Sequence, residues 1–145
     1  MPADLHADAR DRLRATGQRY TPNRRTLVDI LDRADRPLTI PEILRKRRSL
    51  AQSSVYRNLG LLESAGVVCR IVTTDDHARY ELTEDLTDHH HHHLICSACG
   101  RVDDFIVPRG VESALADAIA RISSDTGFQA EHHRLDLVGT CATCH

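Results

Sequence analysis

Residues 53–83 read SSVYRNLGLLESAGVVCRIVTTDDHARYELT, which places one amphipathic segment directly before two extended ones. Valine and leucine recur at helical spacing in the first segment, and Gly66 is a natural helix terminator. The runs VVCRIVT and ARYELT are rich in β-branched and aromatic residues, with a turn signal at Asp75 and Asp76 between them. The stretch therefore predicts one helix followed by a two-stranded hairpin.

Three further helices are predicted upstream of this stretch. Residues 4–16 place leucine and alanine at helical spacing. Thr21 followed by Pro22 predicts an N-cap with proline at the first helical position, and this second helix should run to about Ala34. Residues 39–42, TIPE, form a capping box that opens a short third helix.

Helices followed by a two-stranded hairpin are the order of a winged helix-turn-helix, in which the last helix enters the DNA major groove. We expect Ser53 or Ser54 to cap that helix, and its first turns, Asn58 included, to offer polar groups to phosphates and base edges. The alternative is an ordinary polar surface. The candidate DNA-binding residues are Arg19, Tyr20, Thr21, Arg24, Ser53, Ser54, Tyr56 and Arg57.

Composition and charge divide the chain into two lobes. The 145 residues are 41% hydrophobic and 28% charged, which is typical of a soluble globular chain. Residues 1–82 carry a net charge of +4 and residues 83–145 one of −6, so the first lobe suits phosphates and the second suits cations. No stretch approaches a membrane span or a signal peptide, so we expect a cytoplasmic protein without membrane contact.

Four of the five cysteines form two CxxC pairs, Cys96/Cys99 and Cys141/Cys144. Four thiolates are the number that a closed tetrahedral structural zinc site takes. A thioredoxin-like redox centre would instead need one pair at a strand-to-helix junction. The pairs therefore predict a structural zinc that joins the last strand to the first strand of the C-terminal lobe.

Five consecutive histidines, His89–His93, stand directly before the first CxxC pair. In an extended segment side chains alternate between faces, so His91 and His93 should lie on one side and His90 and His92 on the other. One run can thus serve two metal sites. The alternative is a solvated histidine run without metal.

The rest of the C-terminal lobe predicts two more strands and a helix. Residues 101–107 and 134–139 have the pattern of strands, and an amphipathic helix from Val111 to Ile122 should end near Gly127. So small a sheet buries little surface by itself. We therefore expect it to pair with a second copy in a homodimer.

Six motifs are spread over nearly the whole chain: TPNRR (21–25), SSVYRNL (53–59), AGVV (65–68), HHHHHLICSACG (89–100), HHRLDLVGTC (132–141) and CATC (141–144). Together they resemble the ferric-uptake-regulator family of metal-sensing repressors. The resemblance implies an α+β chain with an N-terminal winged helix-turn-helix domain and a small α/β dimerisation domain. The expected boundaries are 1–83 for the DNA-binding domain, 84–88 for the hinge and 89–145 for the dimerisation and metal-binding domain.

The resemblance also bears on the regulatory metal. Iron- and peroxide-sensing members usually take one ligand from a histidine just before the third helix, where residues 36–39 here contain none. Cys69 stands at the start of the two-stranded hairpin, which is the wing of the winged helix, and zinc-sensing members place a ligand there. A thiolate beside imidazoles favours zinc. This points to the zinc-uptake branch, although Thr83 stands where many zinc sensors carry a further cysteine.

The regulatory ligands implied by the resemblance are Cys69, Glu81, His91 and His93. The fourth position stays open, with Glu81 favoured over Asp104, and Glu84 or Asp85 as further options. Cys69 has other interpretations, as a packed apolar side chain or a redox-sensing thiol. The additional site in the dimerisation domain is expected at His90, His92, Glu112 and His133.

The sequence thus predicts a zinc-responsive transcriptional repressor that binds double-stranded operator DNA as a homodimer. The alternative within the family is an iron-, manganese- or peroxide-responsive regulator. A zinc-dependent or thiol redox enzyme is the rival from another class, but catalysis needs an open metal position and a base in a cleft, which no motif suggests. We expect no catalytic residues and no small organic substrate.

Overall fold

The fold is described by a computed structural model covering residues 4–73, 77–87 and 90–145. The predicted turn at Asp75 and Asp76, and the residues Asp88 and His89 at the predicted domain border, lie outside the described residues. Within these ranges the helices and strands are α1 (Leu5–Ala15), α2 (Pro22–Arg33), β1 (Leu38–Thr39), α3 (Ile40–Lys46), α4 (Gln52–Ser64), β2 (Val68–Val72), β3 (Ala78–Leu82), α5 (Glu84–Thr87), β4 (His92–Cys96), β5 (Val102–Phe105), α6 (Arg109–Thr126) and β6 (Asp136–Gly139).

The predicted starts of α2 and α3 are confirmed. Thr21 Oγ1 accepts a hydrogen bond from the backbone N–H of Arg24. Thr39 caps α3, because its hydroxyl accepts a hydrogen bond from the Glu42 N–H and donates one to the Glu42 carboxylate. These caps satisfy N–H groups that have no partner within the helix.

The predicted cap of α4 is wrong. The helix begins at Gln52, its N-cap is Ala51, and no side chain caps it. Ser53 and Ser54 therefore lie in the first turn, and Ser54 Oγ accepts a hydrogen bond from Asn58 Nδ2 at 3.2 Å. The chain leaves α4 through Gly66 at φ 76°, a left-handed conformation that favours glycine.

The hairpin packs against the helices as a winged helix-turn-helix requires. Strands β2 and β3 are antiparallel, and β1 adds a third strand on the other side of β3. Cys69 lies directly opposite Glu81 in this register. The core beneath contains, among others, Leu13, Leu27, Val28, Ile43, Val55, Leu59, Leu62, Val68 and Tyr80.

Four of the five residues predicted as the hinge, 84–88, form a short helix. Residues 84–87 form α5, and Leu86 is buried in the same core as the N-terminal helices. Arg12 of α1 forms an ion pair with Asp85 at 2.8 Å. The chain therefore stays attached to the N-terminal domain for one turn beyond the wing.

The C-terminal part follows the predicted order of strand, strand, helix and strand. Its sheet has the order β5-β4-β6, with β4 antiparallel to β5 and parallel to β6. No residue of α6 is buried, and all of β6 is exposed. Helix α6 and the edge strand β6 are therefore largely uncovered in the single chain. Among the described residues, no helix is both long and apolar enough to cross a membrane.

Candidate metal centres

The four paired cysteines converge at one end of the second sheet. Cys96 ends β4, and the parallel pairing of β4 with β6 brings Cys141 beside it. The four sulfur atoms lie within 4.8 Å of one another, and Cys99 Sγ is 3.8 Å from Cys141 Sγ. Thiolates at about 2.3 Å from a tetrahedral zinc lie about 3.8 Å apart, so the residues fit that ion.

The backbone around Cys96 favours its thiolate. The N–H groups of Cys99 and Cys141 point at Cys96 Sγ, at 3.5 and 3.3 Å. These hydrogen bonds lower the pKa of the Cys96 thiol to about 6. Because the thiolate is the form that binds metal, the loop holds Cys96 ready as a ligand.

A second cluster lies where the wing meets the second sheet. Glu81 comes from β3, His91 and His93 from the histidine run, and Asp104 from β5. One ligand atom from each lies within 4.8 Å of the others. Glu81 Oε1 is 2.5 Å from His93 Nε2, and Glu81 Oε2 is 3.2 Å from His91 Nε2. We call these four residues the hinge cluster.

The charges of the hinge cluster are suited to a cation. Burial and the neighbouring Glu81 carboxylate raise the pKa of Asp104 to about 6. Asp104 Oδ1 is buried and accepts no hydrogen bond from the described residues, although His93 Nε2 lies 3.6 Å away. Burial opposes ionisation of Glu81 as well, but hydrogen bonds from His93 and His91 outweigh it and lower its pKa. Two adjacent carboxylates, one with an unused buried oxygen, fit a divalent cation.

Three of the residues considered for the regulatory site lie outside the hinge cluster. Cys69 lies opposite Glu81 in the β2–β3 pair, yet its sulfur is not among the hinge-cluster ligand atoms that lie within 4.8 Å of one another. Burial and the charge of Glu81 raise the pKa of the Cys69 thiol. Glu84 is bonded to His90 at 2.7 Å, and Asp85 pairs with Arg12. Asp104, the second choice from sequence, completes the cluster instead.

A third cluster occupies the opposite face of the histidine run. It contains His90, His92, Glu112 and His133, the four residues expected for the additional site. His90 Nε2 is 3.1 Å from both His133 Nε2 and Glu112 Oε2, and His92 Nε2 contacts the Glu112 carboxylate. We call these residues the outer cluster. The Nε2 atoms converge on one carboxylate, an arrangement that suits a metal with nitrogen and oxygen ligands.

The model of a known family, described as "Ferric uptake regulator family", matches residues 15–138. The chain belongs to this family. It is similar to the peroxide operon regulator of Bacillus subtilis (strain 168), with 29% identity over 149 residues that cover 99% of this chain and 96% of that protein.

Solved structures of similar proteins show the same fold. The ferric uptake regulator Fur of Helicobacter pylori, which has three functional metal-binding sites, is 25% identical with a TM-score of 0.70, over 99% of this chain and 95% of that one. A zinc-bound manganese uptake regulator is 27% identical with a TM-score of 0.62, and the match covers 95% of this chain and 99% of that one. The relatives include a peroxide and a manganese regulator, so likeness supports the ferric uptake regulator family and not its zinc branch.

The candidate DNA-binding residues of this family member include exposed side chains and half-buried side chains that are hydrogen-bonded within the protein. Tyr56 is 66% exposed, and Arg19, Ser53 and Arg57 are also exposed. By contrast, Tyr20, Thr21, Arg24 and Ser54 are half-buried and hydrogen-bonded within the protein. The expected exposure of Asn58 is wrong, because it is 5% exposed.

Two features of these sites carried little signal in the sequence. The amide of Asn58 bridges Arg24 Nε, at 3.0 Å, and the Ser54 hydroxyl, which joins α2 to α4. Helical spacing marks apolar positions, so it gave no reason to place an asparagine inside. The hydrogen bond between Glu84 and His90 joins α5 to the outer cluster. In the sequence, only the acidic stretch before the histidines could have indicated it.

Proposed function

We propose that the chain is a homodimeric repressor whose binding to operator DNA depends on a divalent metal in the hinge cluster. Membership of the family makes it a metal-responsive transcriptional regulator. The observation that carries the proposal is the origin of the four ligands. Glu81 belongs to the wing of the DNA-binding domain, whereas His91, His93 and Asp104 belong to the second sheet.

The hinge cluster can act on the position of the DNA-binding domain. The carboxylates of Glu81 and Asp104 lie close together, and the imidazoles of His91 and His93 contact both of them. A cation bound at this point would supply the positive charge that stabilises both carboxylates in the ionised form. Glu81 would then fix the wing, and with it α4, relative to the second sheet. We call α4 the reading helix. Such a restriction favours the one arrangement in which the reading helices of two chains match successive major grooves.

The exposed end of α4 supports the DNA-binding part of the proposal. Tyr56 and Arg57 point outward near the helix N-terminus, while Val55 and Leu59 on the other side are buried. A guanidinium can bind guanine in a bidentate manner, and backbone N–H groups at a helix start favour phosphate. Arg19 lies on the loop before α2, where it would contact the DNA backbone.

The exposed edge strand β6 of the C-terminal unit supports the homodimer. Leu137 is 50% exposed, and Leu94 beside it on β4 is 40% exposed, while Val138 on the opposite face of β6 is 68% exposed. Apolar strand residues of this kind are normally covered. A second copy would cover them and would place two reading helices in one particle, as a two-half-site operator requires.

Two candidates remain for the metal, each supported by a different observation. The hinge cluster has two imidazoles and two carboxylates without a thiolate, a set that suits iron(II) or manganese as well as zinc. This favours the iron-, manganese- or peroxide-responsive alternative. The zinc-uptake assignment is supported by Cys69, which faces Glu81 across the wing and could join or replace a carboxylate.

A binding titration tests the proposal. A duplex would be selected from a random-sequence library by metal-loaded protein, and its affinity measured by fluorescence anisotropy with and without each metal. We expect tight binding only with metal, and loss of most of the metal effect in Asp104→Asn and His91→Ala, where only a smaller effect from the outer cluster remains. Asp125→Asn, an exposed carboxylate near the end of α6, is the control that should respond as wild type. Equal DNA affinity with and without every metal would overturn the proposal.

The same assay separates the two metal candidates. If zinc is the signal and Cys69 is a ligand, Cys69→Ser should lose most of the zinc response. If the two-carboxylate cluster is the whole site, Cys69→Ser should respond as wild type, and iron(II) or manganese should act at lower free concentration than zinc.

A further inference from the structure

The outer cluster is connected to the reading helix by a second route, separate from the hinge cluster. We propose that Glu84 and Asp85 of α5 carry this connection, so that a metal in the outer cluster strengthens DNA binding through α5 and Arg12. The proposal rests on the proposed function, because it assumes a metal-dependent repressor. It assigns to these two acidic residues a positioning role between the two domains.

The route begins at His90. Its Nε2 atom faces the outer cluster, while its Nδ1 atom lies 2.7 Å from Glu84 Oε2. A histidine that binds metal through one nitrogen commonly donates the other N–H to a carboxylate, which fixes the ring orientation. Glu84 is placed to do this, although it belongs to α5 and not to the C-terminal unit. Filling the outer cluster therefore fixes Glu84 as well as His90.

Helix α5 transmits that restraint to its next residue. Leu86 is 4% exposed in the core of the N-terminal helices, and its N–H is bonded to the Thr83 carbonyl. The Thr87 hydroxyl donates to the Glu84 carbonyl. With one buried side chain and two local hydrogen bonds, the turn holds Glu84 and Asp85 in a fixed relation.

The route ends at the C-terminus of the reading helix. Both oxygens of Asp85 accept hydrogen bonds from Arg12, at 2.8 and 3.2 Å. The same guanidinium donates to the carbonyl of Gly66 at 2.7 Å, directly after α4. The Thr83 hydroxyl donates to that carbonyl too, at 3.0 Å. Asp85 thus orients the arginine that holds the end of α4.

This geometry separates the functions of the two acidic residues. Glu84 contacts His90, so its removal should weaken metal binding at the outer cluster and also break the route. Asp85 has no contact with a cluster residue among its described bonds, so its removal should break the route alone. The difference allows the proposal to be tested without confusing metal affinity with coupling.

The experiment isolates the outer cluster in the full-length chain. Glu81→Gln with Asp104→Asn removes the carboxylates of the hinge cluster, and zinc is titrated while zinc content and affinity for the selected duplex are measured. We expect zinc at the outer cluster to tighten DNA binding by about fivefold or more, the lower end of usual coupling between sites. Adding Asp85→Asn should remove most of this gain and leave the zinc affinity unchanged.

Two comparisons complete the test. Glu84→Ala should lose the gain and lower the zinc affinity by about 10- to 100-fold, as loss of such a carboxylate partner does. Asp11→Asn is the matched control, because Asp11 is an exposed carboxylate of α1 beside Arg12 and should keep the full gain. Thermal unfolding of each variant without added zinc checks that the fold is retained.

The possible results are distinct. If Asp85→Asn keeps the zinc-dependent gain, or if the double variant with intact α5 shows none, the inference is overturned. Neither result touches the proposed function, which depends on the metal response of the wild type. That function fails separately, if wild-type protein binds DNA equally with and without metal.

Discussion

Asn58 lies where the reading helix meets α2, and its amide is used from both ends. Its oxygen accepts a hydrogen bond from Arg24 Nε at 3.0 Å, and its nitrogen donates to the Ser54 hydroxyl. Arg24 also donates to the backbone carbonyl of Arg19 at 2.6 Å. The bridge fixes the loop before α2, which presents Arg19, relative to the start of α4.

Replacing Asn58 should therefore cost stability. Asn58→Ala leaves the Arg24 Nε–H without its partner and opens space in a buried position. We expect a loss of about 1–3 kcal/mol in the free energy of unfolding, measured by urea denaturation of the metal-saturated protein. Asn23→Ala, an exposed asparagine of α2, is the control and should change it little. Equal stability of the two variants would contradict the buried bridge.

Cys96 should be the most sensitive of the cysteines. Cys96→Ser removes the thiol that two backbone N–H groups hold as a thiolate, and binding free energy at such a site is folding free energy. We expect loss of tightly held zinc and a much lower unfolding temperature, measured by metal analysis and calorimetry. Cys69→Ser is the matched control, because Cys69 lies outside the four-sulfur group. Retention of zinc and stability in Cys96→Ser would remove the structural role.

For single residues, the sequence predicted the face on which a side chain lies wherever a regular period applies. Alternation along an extended run assigned His90 and His92 to one face and His91 and His93 to the other, and the structure groups them in that way. It could not rank Asp104 above Cys69, because that choice depends on how β5 pairs with β4 and how the wing sits against the second sheet. Those relations are tertiary and leave no local pattern.

Among the elements, α4 should carry most of the contact with DNA bases. Arg57→Ala removes an exposed guanidinium, and we expect operator affinity to fall about tenfold or more, the usual value of a bidentate base contact. Zinc content should stay unchanged, since Arg57 contacts no cluster. Arg14→Ala removes an exposed arginine of α1 and serves as the control. Fluorescence anisotropy gives both affinities, and an unaltered value for Arg57→Ala would show that another element reads the DNA.

The helices α1–α4 and the strands β2–β6 were predicted from sequence, whereas β1 and α5 were missed. Capping residues identified the starts of α2 and α3, and Gly66 identified the end of α4, because these signals are local and physical. Strand β1 has two residues and α5 has four, lengths at which no periodicity develops. Both depend on tertiary partners, β1 on β3 and α5 on the core around Leu86.

For the whole molecule, the uncovered second sheet predicts dependence on self-association. Val138→Asp would place a charge on the edge strand β6, which we assign to the dimer interface, at a position 68% exposed in the single chain. We expect a monomer, detected by light scattering, whose DNA affinity measured by fluorescence anisotropy is low. Val72→Asp introduces the same charge at a 65% exposed valine of the wing and should stay dimeric. A dimeric Val138→Asp protein would place the interface elsewhere.

The histidine run has a genetic consequence. Both clusters draw on four consecutive histidines, His90–His93, and the sequence has a fifth before them. Histidine codons differ only in the third base, so a run of histidines is encoded by a near-repeat of one triplet, and such repeats gain or lose a triplet during replication. After the loss of one histidine codon, four histidines still precede Leu94 in the same register, and only the connection before them is shorter. We expect such a deletion to retain the metal content of both clusters, whereas His90→Gln, which keeps the length, should lose metal from one.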